Sequence, residues 1–380
     1  MLTLRQAAII IAAAIVLPSC SGGPSGPAPQ PAAEGVRLAP TGWHQLAGWS
    51  EDSLAAAVPA FVKSCEAAAR NADGAPLDAA AAAADFGRVA DWRPLCRQAA
   101  QLPAGDDAAA RRFFEENFRP MQIASNGASD GLVTGYWEVE LDGAQTRQGA
   151  YRTPVYRRPA DLVADRPYLD RAAIEDGALA GRGLELVWLQ SPDDLFVLQT
   201  QGSGRIRLRD GRTMRVVYDA SNNRAPVDVN RLLMETGAIP RAQFSDRTVR
   251  AWMHDHPAAA AELRRKDPRY VFFRELTGEG PVGYQGAVLT PGRSLAVDHR
   301  YVPLGAPVWL EAHDKFRPVA LSRLVVAQDI GDGISGPLRG DFYWGSGKTA
   351  AARGADFYAD GRYWLLLPKS VASRMVAALN

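Results

Sequence analysis

The chain has 380 residues, with 43 Lys+Arg against 42 Asp+Glu and a formal net charge of +1 at pH 7. That balance leaves no basic stripe for nucleic acid. The five histidines, His44, His254, His256, His299 and His313, show no metal-ligand spacing, so no metal is expected.

Residues 1–20, MLTLRQAAIIIAAAIVLPSC, place one cation, Arg5, ahead of an apolar run from Ala7 to Leu17. The run is too short to span a bilayer and has the layout of a cleaved export signal. Its ending, Leu17-Pro18-Ser19-Cys20, resembles a bacterial lipoprotein signal with Cys20 as the lipid-modified residue; plain secretion is the other reading. Residues 21–35 are too rich in Gly and Pro to pack and read as a flexible tether. With Cys20 used for an anchor, Cys65 and Cys96 remain as an even pair. In an oxidising compartment a disulfide is the leading reading, with two buried thiols as the alternative.

About 340 residues follow the tether, enough for two domains. From 51 to 118 the chain is Ala-rich with helical spacing, as in SLAAAVPAFVKSCEAAARNA and DDAAARRFFEENF. After Pro120, GLVTGYWEVEL (131–141) alternates like a strand, and LELVWL, LFVLQTQ and RIRLRDGRTMRVVYDA continue as strands, with a hairpin turn at Asp210-Gly211. A helical interlude at 228–265 precedes a β-rich block that runs from RYVFFREL to RYWLLLPK.

Four stretches are candidates for chemistry. VVAQDIGDGISGPLRGDFYWG (325–345) delivers Asp329 to a Gly-rich turn and Asp341 to the next strand; carboxylates there suit acid/base work, or are plain turn formers. GRSLAVDHRYVPLGAPVWL (292–310) places Asp298 after an apolar strand, and LQTQGSGRI holds Gln201, Gly202 and Ser203 at a turn. VTGYWEVEL offers Thr134, Tyr136 and Trp137, whose rings suit either a carbohydrate groove or a core. GSGKT (345–349) ends like a phosphate loop, but Phe342 stands where the leading glycine is needed, so no nucleotide is expected.

In order, TGYWEVEL, TRQGAYRTPVYRRP, LQTQGSGRIRL, PRYVFFREL, AVDHRYVPLGAPVWL and AQDIGDGISGPLRGDFYWGSG resemble the membrane-bound lytic murein transglycosylase A family, over roughly 130–370. The resemblance implies a mainly β protein with N-terminal helices: a double-psi β-barrel domain carrying three aspartates, and an inserted second β-domain across a groove. The expected divisions are 36–141 for the N-terminal helices and first barrel strand, 142–269 for the insert, and 270–380 for the barrel. It further implies Asp341 as catalytic acid with Asp329 and Asp298 in support. Thr134 and Tyr136 then line the groove on one side and Gln201, Gly202 and Ser203 on the other.

The implied substrate is the glycan strand of peptidoglycan, cleaved without water, cofactor or metal to a 1,6-anhydromuramoyl end. The implied location is the periplasm, on the outer membrane through Cys20, where other cell-wall enzymes are possible partners. A single carboxyl doing this work is expected to be raised in pKa by burial or by Asp329. A two-carboxylate glycoside hydrolase and a non-catalytic wall-binding lipoprotein are the alternatives. Asp332 and Gly333 in DIGDGIS depart from the family's usual turn, and Asp332 reads as an outward turn residue.

Overall fold

The computed structural model describes residues 35–377 except 241, 242, 244 and 332. The expected signal, the Cys20 anchor, nearly all of the tether, and Asp332 lie outside the described residues.

The N-terminal part holds β1 (Val36–Pro40), α1 (Val58–Ala68), α2 (Val89–Ala99), α3 (Asp107–Asn117), β2 (Phe118–Ser125) and the long β3 (Gly131–Ala144). The middle comprises β4 (Thr153–Tyr156), α4 (Arg171–Glu175), β5 (Glu185–Leu189), α5 (Pro192–Gln201), β6 (Ser203–Leu208) and β7 (Thr213–Ser221). It continues through α6 (Val229–Thr236), α7 (Asp246–Asp255), α8 (Pro257–Lys266) and β8 (Val271–Glu275). The C-terminal part is β9 (Ser294–Val297), β10 (Pro307–Asp314), β11 (Ala320–Asp329), β12 (Arg339–Ser346), α9 (Gly347–Gly354), β13 (Tyr358–Pro368) and α10 (Lys369–Ala377). The protein is mostly β with several helices, as the sequence leads one to expect.

One expected strand is a helix. LFVLQTQ lies in α5, because Ser191 caps its start by accepting the Asp193 N–H, Pro192 opens the first turn, and Asp193 and Asp194 complement the helix dipole. Gly202, in the left-handed conformation at φ 75°, ends it. These end signals outweigh the β-leaning composition of Leu195-Phe196-Val197. The C-terminal block likewise contains α9 and α10 beside its strands.

In the C-terminal sheet, β13 pairs with β10, β10 with β11, β11 with β9, β9 with β12, β12 with β3, and β3 again with β13. The core between these strands and α1–α3 includes Phe61, Phe113, Phe114 and Phe118, all fully buried. Each such ring contributes roughly 2 kcal/mol by leaving water. A disulfide joins Cys65 of α1 to Cys96 of α2. A second core, including Val187, Ile206, Val216 and Phe272, fills the middle sheet.

Strand β3 belongs to both sheets. Its first half, with Thr134 and Tyr136, pairs with β12 and β13, and its second half pairs with β6 and β5. Gly135 is needed between them: a Cβ there would stand 2.5 Å from Trp344 Nε1 and 2.9 Å from the Gly354 backbone, where α9 lies on β3.

The GSGKT stretch is the turn from β12 into α9, with Phe342 buried inside β12. Strand therefore passes to helix through Gly345-Ser346-Gly347 alone, leaving no loop long enough to wrap phosphates.

Candidate active site

Backbone register gathers the key side chains. Asp341 on β12 lies opposite Ala296 of β9 on one side and Thr134 of β3 on the other. Asp329, ending β11, lies opposite Ala296 from the far side. Neighbours in register on adjacent strands share a face, so Asp329, Ala296, Asp341 and Thr134 form one row. A bulge between Ala327 and Asp329 makes this possible. It turns Gln328 inward, 0% exposed, where Gln328 accepts from Ser294 (2.5 Å) and donates to Ala60 O (3.0 Å) and Ser64 Oγ (2.9 Å). Those bonds hold the end of β11 against α1.

Asp341 is bonded on one oxygen. Its Oδ1 accepts from Thr134 Oγ1 and from Arg339 Nη1 at 2.6 Å, while Arg339 Nη2 donates to Thr134 Oγ1 at 2.9 Å. Among the described residues Oδ2 accepts no hydrogen bond, so it is the oxygen left for a ligand. Arg339 precedes Asp341 by two on the same strand, which places both on one face.

Asp329 is enclosed instead. Its Oδ1 accepts the N–H groups of Tyr284 (2.9 Å) and Ile330 (3.0 Å), and its Oδ2 accepts the Tyr136 hydroxyl (3.3 Å). Burial outweighs these bonds and, with the Asp341 charge adding to it, pushes the carboxyl up to about 6. Burial, with the Asp329 charge, pushes the Tyr136 phenol well above its ordinary value and keeps it a proton donor. Its ring packs on Tyr343, 5.1 Å between centroids, in a small cluster with Leu289, Ala296 and Ile334. Asp341, likewise half-buried, has the Arg339 guanidinium beside it.

Asp298, 5% exposed, lies off the row. Burial pulls its carboxyl up, but Arg300 (2.5 and 2.8 Å) and the Gly336 N–H (2.8 Å) outweigh it and hold it below the usual range. It therefore ties the β11–β12 connection to the turn after β9. Gln201 Oε1 accepts the Trp137 N–H at 3.1 Å, one residue from Tyr136. Gly202 closes α5, and Ser203, 9% exposed, is buried in the β6–β7 pairing and presents little surface. Beyond them, buried Glu138 of β3 is held by Arg215 of β7 at 2.6 Å and by Arg205 of β6 at 3.6 Å.

Arg339 and Tyr284 escaped sequence reasoning. The i, i+2 spacing to Asp341 was a legible signal for the first. Nothing local pointed to the second, which meets Asp329 across 45 residues.

The profile of the MltA specific insert domain matches residues 132–274, and that of the 3D domain matches 293–367. The membrane-bound lytic murein transglycosylase A of Escherichia coli K12 is 32% identical over 274 residues, covering 70% of this chain and 73% of that protein. The crystal structure of a membrane-bound lytic murein transglycosylase from Agrobacterium tumefaciens superposes with a TM-score of 0.79 at 31% identity, covering 89% of this chain and 99% of that one. E. coli MltA with bound chitohexaose superposes at 0.63 with 25% identity, covering 82% and 90%. Matched over both halves of its folded length, the chain belongs to the membrane-bound lytic murein transglycosylase A family.

Proposed function

We propose that this lytic transglycosylase cleaves the β-1,4 bond between N-acetylmuramic acid and N-acetylglucosamine in peptidoglycan without water, leaving a 1,6-anhydromuramoyl end. The observation that carries the reading is the one-sided bonding of Asp341. Thr134 and Arg339 fix Oδ1, and Oδ2 is left to hand a proton to the leaving glycosidic oxygen. The carboxylate so formed removes the proton from the muramoyl C6 hydroxyl as that oxygen closes on C1. Atoms balance without water, because nucleophile and electrophile belong to one sugar.

Asp329 keeps a carboxyl proton in the site up to about pH 6. Thr134 and Tyr136 line the strand from β3, Gln201 and Gly202 from the α5–β6 corner, and Asp298 supports the connection that carries Asp341. The six-strand cycle of pairings is read as a double-psi β-barrel over 36–141 and 270–380, with 142–269 as insert and a groove between. Cys20 anchors the chain to the outer membrane, facing the periplasm.

A hydrolase has one observation in its favour: two carboxyls stand in one row on either side of Ala296, and a glycoside hydrolase ordinarily works with two. Against it, Asp329 already accepts three hydrogen bonds, two on Oδ1 and one on Oδ2, which makes it less free than Asp341 to activate water. Mass spectrometry of products from murein sacculi, treated with the full chain or its Asp341→Asn variant, separates the readings. Anhydro ends from the wild type alone support the lytic reaction; reducing ends make the protein a hydrolase, and no release makes it a binding protein.

A further inference from the structure

Tyr284 presents an aromatic ring that is 62% exposed, although flat apolar rings are usually covered. Its place is set by the site, because its own N–H is the donor to Asp329 Oδ1. The ring is also propped: His299 meets it edge-on at 5.5 Å, and Asp78 holds His299 at 3.2 Å while accepting the Leu304 N–H at 3.0 Å. Holding the ring in place before binding lowers the ordering cost of using it. Beside it lies a cavity of about 290 Å³ lined by Tyr284, Asn71, Leu77, Asp78, Gln285 and Leu304. That volume is at the low end for small-molecule pockets, about 300 Å³, which suits one sugar ring rather than two.

We infer that Tyr284 and this cavity form a subsite for one N-acetylhexosamine of the glycan strand, at the Asp329 end of the row and away from the bond that is cut. The C–H face of the pyranose packs on the phenol ring. The acetamido methyl meets the Leu77 and Leu304 wall, and the hydroxyls and amide meet Asn71 and Gln285. A peptide would need a line of backbone partners, whereas this site is a single flat face with a compact pocket. The inference rests on the glycan-strand reading above.

The test is calorimetric titration of the full chain, wild type, Tyr284→Ala and Tyr284→Trp, with chitotriose and chitohexaose, folding being checked by circular dichroism. The wild type gains affinity from trimer to hexamer. Tyr284→Ala loses about tenfold of that gain, and Tyr284→Trp keeps it. Equal hexamer affinity in wild type and Tyr284→Ala, or no gain with length in the wild type, overturns the subsite. Failure of the lytic reading shows separately, as absence of anhydro ends from wild-type digests.

Discussion

Asp329 and Asp341 stand in one row on opposite sides of Ala296, both half-buried, yet their surroundings differ: Asp329 is bonded on both oxygens, Asp341 on one oxygen only. Two carboxyls in one row thereby differ in the number of oxygens left free to accept a ligand.

Asp341→Asn keeps the Thr134 and Arg339 neighbours but cannot give and retake a proton. Anhydro-product release should fall about 10³-fold, within the range for loss of a general acid. The melting temperature should stay within a few degrees, because the position is only partly buried. Retained turnover would shift the acid to another group.

Asp329 is expected to set the pH response. Its carboxyl is raised from 3.8 to about 6, so the folded state binds more protons than the unfolded state in that window. Its favourable contribution is complete below the unfolded value and fades as pH rises through the folded one. Asp329→Asn should abolish that slope and gain on the order of 2 kcal/mol above pH 6, read by urea unfolding at several pH values. Wild-type activity should decline as pH rises past about 6, and a flat profile through neutrality counts against the role given to this pair.

Arg339 bonds Asp341 and Thr134 with separate guanidinium nitrogens, a fork that an ammonium cannot copy. Arg339→Gln should lower kcat about 10–100-fold with little change in KM, since a small misplacement of a reacting group is costly. Arg339→Lys should fail to restore it, and the pH profile should move in both. Initial rates on sacculi across pH distinguish this from simple unfolding.

Asp298→Ala removes the tie between Gly336 and the turn after β9. Losing charge-assisted bonds of this kind costs about 1.5–3 kcal/mol, visible as a lower melting temperature. Because the Asp298 carboxyl is held below its usual range, this stabilisation is present above 3.8 and lost as pH falls. Arg300→Ala should cost less, since Arg300 is half exposed.

Long patterned elements were legible. The β3 alternation, the 205–220 hairpin and the helical spacing of α1 and α3 follow from local periodicity. LFVLQTQ misled because its composition favours a strand while its caps, read only at its ends, favour a helix. The aspartates were legible as a set, but the different hydrogen bonding of Asp329 and Asp341 was not. The Asp329 bonding depends on donors from Tyr284, Tyr136 and Ile330 meeting one carboxyl, and two of these are distant in sequence.

The sequence by itself determined which groups could do the chemistry, three carboxyls at strand ends and the hydroxyl and phenol on β3, because residue type and periodicity are local properties. Only the tertiary structure decided what each does. Register across β11, β9, β12 and β3, with one bulge, places two carboxyls in a row and turns the third into a tie. Charge, burial and hydrogen bonding act over a few ångströms in space, and those distances exist only once strands far apart in the chain are paired.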